Sequence, residues 1–89
     1  MKLDTMQEFL LLSVNRNFSK TAEELYMAQS ALSRHVAALE QELGVQLIHR
    51  THNTFELTHA GEIVAQEFKR MLDGYQTMLR RLASLSENF

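Results

Sequence analysis

The sequence predicts a mainly α-helical fold: three helices, a small β-hairpin and one long terminal helix. Three observations carry this. Apolar residues recur at helical spacing over most of the chain. No proline and only three glycines interrupt it. From Val64 onward, seven successive heptad-seam places are all apolar. The 89 residues suit one domain with a thin core, since a chain of this size hides only about 60% of its extended surface on folding. A hydrophobic content of 45% is that of a globular protein. With no cysteine, disulfides, cysteine-ligated zinc and a thiol nucleophile are excluded. No apolar run, 9–12 included, exceeds four residues, far too short to span a bilayer, and no basic segment precedes 9–12 as in a secretory signal. The expected compartment is the cytoplasm, with no membrane partner.

The first helix reads from Leu3, Met6, Leu10 and Val14, with Phe9 beside the stripe. Arg16 and Asn17 end it, and Phe18 has no place on it. Ser19 is the expected N-cap of a short second helix, with Thr21 and Glu24 offering an alternative capping box two residues later. Ala22 and Leu25 are its inward residues. The third helix is expected from about Gln29 to Leu43, buried along Leu32, Val36, Leu39 and Leu43, and ended by Gly44 in a left-handed cap. Its opposite face carries Ser30, Ser33, Arg34 and Ala37, with Gln29 at the leading end. Two alternating pieces follow, 46–50 and 54–57, with Leu47, Phe55 and Leu57 expected inward and Thr51, His52 and Asn53 as the turn between them. Thr58 is the expected cap of a helix reaching about Glu87, a rod of about 43 Å at 1.5 Å per residue. Its seam is Val64, Phe68, Met71, Tyr75, Met78, Leu82 and Leu85, widened by Leu72 and Leu79. Ile63, Val64 and Phe68 are expected against the head, and 68–85 against a second copy, because the rod overhangs so small a head. The division is a head over 1–58 and a linker helix over 59–89.

Two short helices with a tight turn, the second bearing a narrow polar face, describe a helix-turn-helix, and the hairpin adds a wing. The net charge of −2 argues against a nucleic-acid partner, but its distribution argues the other way. No acid lies between Leu25 and Leu39 or between Gly44 and Phe55, and from Asn15 to Ala22 the only charges are Arg16 and Lys20. Arg34 has the donors for guanine O6 and N7, and Gln29 the donor and acceptor for adenine N7 and N6. Small Ser30 and Ser33 let the helix approach base edges. Arg16, Ser19, Lys20, His35, Arg50 and Thr51 are candidates for the DNA backbone, which sets register rather than sequence. Arg50 is alternatively a partner for Glu56. An enzyme is disfavoured: His49 and His52 have a ligand-like spacing, yet no cysteine or carboxylate set completes a metal site, and no phosphate loop or nucleophile elbow is present. The rival is a winged-helix and coiled-coil module that binds protein, which an exposed apolar patch on the third helix would support.

The run Asn17-Phe18-Ser19-Lys20-Thr21-Ala22-Glu23-Glu24-Leu25, then Gln29-Ser30-Ala31-Leu32-Ser33-Arg34 continuing to Leu39-Glu40-Gln41-Glu42-Leu43-Gly44, and finally Leu57-Thr58-His59-Ala60-Gly61, resembles the N-terminal region of the LysR-type transcriptional regulators. The resemblance spans essentially the whole chain. It implies a winged helix-turn-helix with a linker helix that pairs with its twin, and an inverted-repeat DNA site. It also implies a C-terminal domain for a small-molecule effector, absent from this chain, and no cofactor in the chain itself. Gln29, Ser30, Ser33 and Arg34 fall at its base-reading positions and His52 and Asn53 in its wing. Four positions depart from the family pattern. Ser30 stands where proline is usual, Ala28 where serine or threonine is usual, Arg16 where glycine is usual, and Asn53 where arginine is common.

Overall fold

The computed structural model describes residues 1–50 and 54–87. Four helices follow in order: α1 (Leu3–Asn15), α2 (Phe18–Glu24), α3 (Gln29–Leu43) and α4 (His59–Glu87). The first three build a head. The long fourth helix leaves it, and the whole measures 56 × 26 × 20 Å.

The core draws on every element. Met6, Phe9 and Leu12 enter from α1, Ala22 from α2, and Leu32, Val36 and Leu39 from α3. Leu47 and Ile48 close it from below, and Phe68 and Leu72 come back from α4. Phe9 and Phe68 meet edge to face, with ring centroids 6.0 Å apart at 86°, a favourable arrangement of aromatic quadrupoles.

The inward face of α1 is rotated from the expected stripe. Phe9 and Leu12 are fully buried, whereas Val14 is 71% exposed and Leu3 is also exposed. The helix is apolar on most of its circumference, so its own sequence leaves two faces in competition. Packing against Phe68 selects the one that carries Phe9.

The start of α2 is set by Asn17, not by Ser19. Asn17 is extended and its Oδ1 accepts the Lys20 N–H at 2.8 Å, which satisfies a first-turn donor. Glu24 makes no capping box; it accepts from Asn15 Nδ2 at 2.7 Å. Phe18 finds its place outside α1's stripe, against Phe55, with ring centroids 5.9 Å apart.

Helix α3 has the expected bounds. Gly44 ends it at φ 73° and returns its N–H to the Glu40 carbonyl. Of the expected buried stripe, Leu32, Val36 and Leu39 are enclosed and Leu43 is exposed.

The hairpin is reduced, among the described residues, to one antiparallel bridge, Ile48 with Leu57. His49 donates to the Glu56 carbonyl at 2.9 Å beside it. Leu47 and Ile48 are both buried, so the pleat does not alternate there. Their N–H groups both donate to Glu40 Oε2, at 2.8 and 3.3 Å, which ties this segment to α3.

Thr58 starts α4 as expected, its hydroxyl accepting the Gly61 N–H at 2.9 Å. Gly61 presses on the backbone of Leu47 so closely that a Cβ there would collide with the Leu47 carbonyl oxygen. Along α4 the seam divides. Phe68 is buried and Val64 partly buried against the head, as expected, but Leu72, expected to face a second copy, is also buried inside the chain. Ile63, expected against the head, is exposed. Met71, Tyr75, Met78, Leu79, Leu82 and Leu85 are exposed, between 37% and 57%. No helix among the described residues is long and apolar enough to cross a membrane.

Candidate nucleic-acid interface

The outward face of α3 is built by the same periodicity that buries Leu32, Val36 and Leu39. With those three inside, Gln29, Ser30, Arg34, Ala37 and Ala38 are exposed and Ser33 is half-buried at the edge. The face contains no acid and no exposed large apolar side chain. Arg34 forms no ion pair among the described residues. Its five donors are therefore available to a partner.

Around that face the other candidates are distributed unevenly. Ser19 and Lys20 lie exposed in the first turn of α2. Ser19 donates its single hydroxyl proton to Gln29 Oε1 at 2.8 Å, so the two helices of the pair are linked directly. That bond occupies the proton expected to serve a phosphate. Arg16 caps α1 in the left-handed region, φ 56°, which accounts for glycine being usual at this position. Its guanidinium lies 5.7 Å from the Phe55 ring centroid and donates to the Phe55 carbonyl at 3.3 Å. Arg16 therefore stands at the junction of the helix pair and the wing base. A groove between them is lined by Arg16, Ser19, Gln29, Arg50 and Phe55 among others.

Two acids that are distant in sequence reach this region through the fold. Glu8 of α1 contacts His35 Nδ1 at 2.8 Å. Glu40 of α3 pairs with Arg50 at 2.7 Å while accepting from Leu47 and Ile48. The partner of Arg50 is thus Glu40, not Glu56. Reading charge along the chain could not find either contact, because both join segments separated by helical turns. Glu40 does carry a local signal: its place at i+4 from Val36 puts it at the margin of the buried stripe. Thr51, His52 and Asn53, expected at the backbone and the wing, lie outside the described residues.

The turn between α2 and α3 is tight. Tyr26 adopts φ 56° there and is 98% exposed. Ala28 then begins α3 with no side-chain hydrogen bond to the helix, the consequence expected of its missing hydroxyl. Among the described residues no group of three metal-ligating side chains comes together.

A two-helix unit joined by a tight turn, its second helix showing a polar face beside a short bridged wing base, defines a winged helix-turn-helix protein. Sequence comparison gives the family: residues 3–62 match the bacterial regulatory helix-turn-helix proteins of the lysR family, and the chain belongs to it. The HTH-type transcriptional regulator HdfR of Salmonella newport and that of Salmonella typhimurium are each 34% identical over 88 residues. The alignment covers 99% of this chain but 32% of either relative, so the chain spans about a third of the length of the curated relatives it matches. Among solved structures, the DNA-binding domain of BenM in complex with catB site 1 DNA superposes with a TM-score of 0.90 at 29% identity, covering 97% of this chain and 96% of that one. The DNA-binding domain of CbnR in its DNA complex gives 0.89 at 28%, covering 97% and 99%.

Proposed function

We propose that this chain reads double-stranded DNA as the head and linker helix of a transcriptional regulator acting as a homodimer in the cytoplasm. The exposed, acid-free face of α3 carries the reading. It is narrow, polar and free of large apolar groups, which suits a major groove and not an apolar protein partner. The BenM and CbnR domains, of the same fold, were solved with DNA bound. The role is that of a binding module, with no catalytic step assigned.

In this reading Arg34 donates two hydrogen bonds to guanine O6 and N7, and Gln29, Ser30 and Ser33 contact neighbouring base edges. Lys20 and Arg16 meet phosphates and fix the register. The head, 1–58, is presented by the linker helix, 59–89. Its exposed seam pairs with that of a second copy and sets two α3 helices one helical turn of DNA apart, about 34 Å, on an inverted repeat.

Selection from a random duplex pool with the 89-residue chain tests this, followed by anisotropy titration of the enriched sites. An inverted repeat should emerge. Arg34→Ala should lose about 1–3 kcal/mol per half-site on that repeat and much less on scrambled DNA. Equal losses on both would remove Arg34 from base reading. A folded chain that enriches no sequence would overturn the proposal.

A further inference from the structure

Two arginines border the groove between the helix pair and the wing base, and each is anchored by its own chain. Arg16 lies 5.7 Å from the Phe55 ring centroid and donates to the Phe55 carbonyl at 3.3 Å. Arg50 donates to Glu40 at 2.7 Å. Glu40 is 11% exposed and does not border the groove, so it holds Arg50 from outside it. A guanidinium carries five N–H donors. Each arginine gives one to its own chain and keeps the others. Ser19, Gln29 and His49 add to the polar border, and no acid stands on it.

Arg16 is the informative member of the pair. It stops α1 at φ 56°, a conformation costly for a residue with a Cβ and free for glycine. A side chain kept at such a cost is a candidate for function. Glycine there would relieve the backbone and remove half of the positive charge of the two guanidinium groups. The groove is also continuous with the reading face, because Gln29 belongs to both. Two guanidinium groups on one acid-free concave surface suit an anion with two charged oxygens, one for each fork. We infer that this groove seats one phosphate of the DNA backbone, gripped by Arg16 and Arg50 together. The inference rests on the DNA-reading function proposed above and adds Arg50 to the phosphate contacts named there.

The test uses the 89-residue chain as wild type, as Arg16→Gly, as Arg16→Asn, as the pair swap Glu40→Gln with Arg50→Gln, and as the pair swap combined with Arg16→Gly. Glycine and asparagine both accept positive φ, so the turn is kept. The pair swap removes one charge of each sign, so it leaves net charge unchanged and no carboxylate unpaired. Arg16 and Arg50 are exposed, so circular dichroism should show all variants folded. Anisotropy titrations follow binding to the selected repeat and to a scrambled duplex. Either Arg16 variant, and the pair swap, should weaken both duplexes alike by about tenfold per half-site. The combined variant should lose little more than either alone, because the two arginines share one phosphate. Inorganic phosphate replacing chloride at equal ionic strength should leave wild-type binding unchanged. The inference is overturned by full affinity in the pair swap, by strictly additive losses, by a loss confined to the selected repeat, or by displacement of DNA by inorganic phosphate, which would mark a site for a free anion. All four outcomes retain specific binding by the wild type. A folded wild type that enriches no sequence would instead overturn the DNA-reading function, and this inference with it.

Discussion

Single residues of the helix pair carry local conflicts that the fold tolerates. Arg16 and Tyr26 both take positive φ, a region costly for residues with a Cβ, and both sit where a helix must stop abruptly. Ala28 leaves a helix start without a side-chain acceptor. Ala28→Ser should supply one and raise stability by about 1 kcal/mol. A urea midpoint that stays level or falls would refute that. Gly61 is constrained in the opposite sense. A Cβ there would run into the Leu47 backbone, which cannot retreat because its carbonyl accepts the Thr58 N–H and its N–H donates to Glu40. Gly61→Ala should therefore destabilise by about 3 kcal/mol, seen as a lower midpoint in the same titration. Some of this was legible. Gly44 and Thr58 announce helix ends by type and position, and Ala28 announces a missing cap. Asn17 as the cap of α2 was obscured by Ser19, since both residue types suit the role and only the backbone decides. Glu40 and Glu8 were hidden because their partners are brought near by folding, not by sequence.

Helices with one apolar stripe were read with the right bounds, and elements with ambiguous patterns were not. α3 has a single stripe and a clear stop, so its buried and exposed faces follow directly, except for Leu43 at its last turn. α1 carries apolar residues on more than one face, Leu3 and Val14 on one and Phe9 and Leu12 on another, and its inward face is chosen by α4. The wing base fails the alternation rule: Leu47 and Ile48 are both buried, and Glu40, a helix residue, accepts both of their N–H groups. α4 shows both kinds of behaviour. Its start, length and seam follow from the pattern, but the pattern does not say where the head stops using the seam. The structure places that point at Leu72, the last α4 residue enclosed by the head. From Met71 onward the row Met71, Tyr75, Met78, Leu82 and Leu85 keeps the heptad steps and stays exposed among the described residues. Met71→Glu with Met78→Glu should give a folded monomer in sedimentation, since neither side chain is buried in the head. An unchanged dimer would place the pairing surface elsewhere. Phe68→Ala should instead loosen the head itself, with a loss of about 3–5 kcal/mol.

Across the whole molecule, net charge is a poor guide to the partner. The chain is acidic by two charges, yet the acids of α4 are placed along the rod, where Glu67 pairs with Arg70 and Asp73 with Lys69. Arg16, Lys20 and Arg34 are exposed in the head and form no ion pair among the described residues. Affinity for DNA should accordingly fall steeply with salt despite the negative total. Lys20→Ala should weaken every duplex alike and reduce the log–log salt slope by about one; an unaltered slope would take Lys20 off the phosphate backbone. The weld between Phe9 and Phe68 has a mechanical consequence. With Phe68 and Leu72 fixed in the head, the free part of α4 is a stiff arm of about 20 Å, and swinging it by about 10° moves its far end about 3 Å. In the dimer proposed here the joint has no slack. Spreading the arms near Leu85 must turn the heads, so the pair works as a caliper whose jaws are set from the handles.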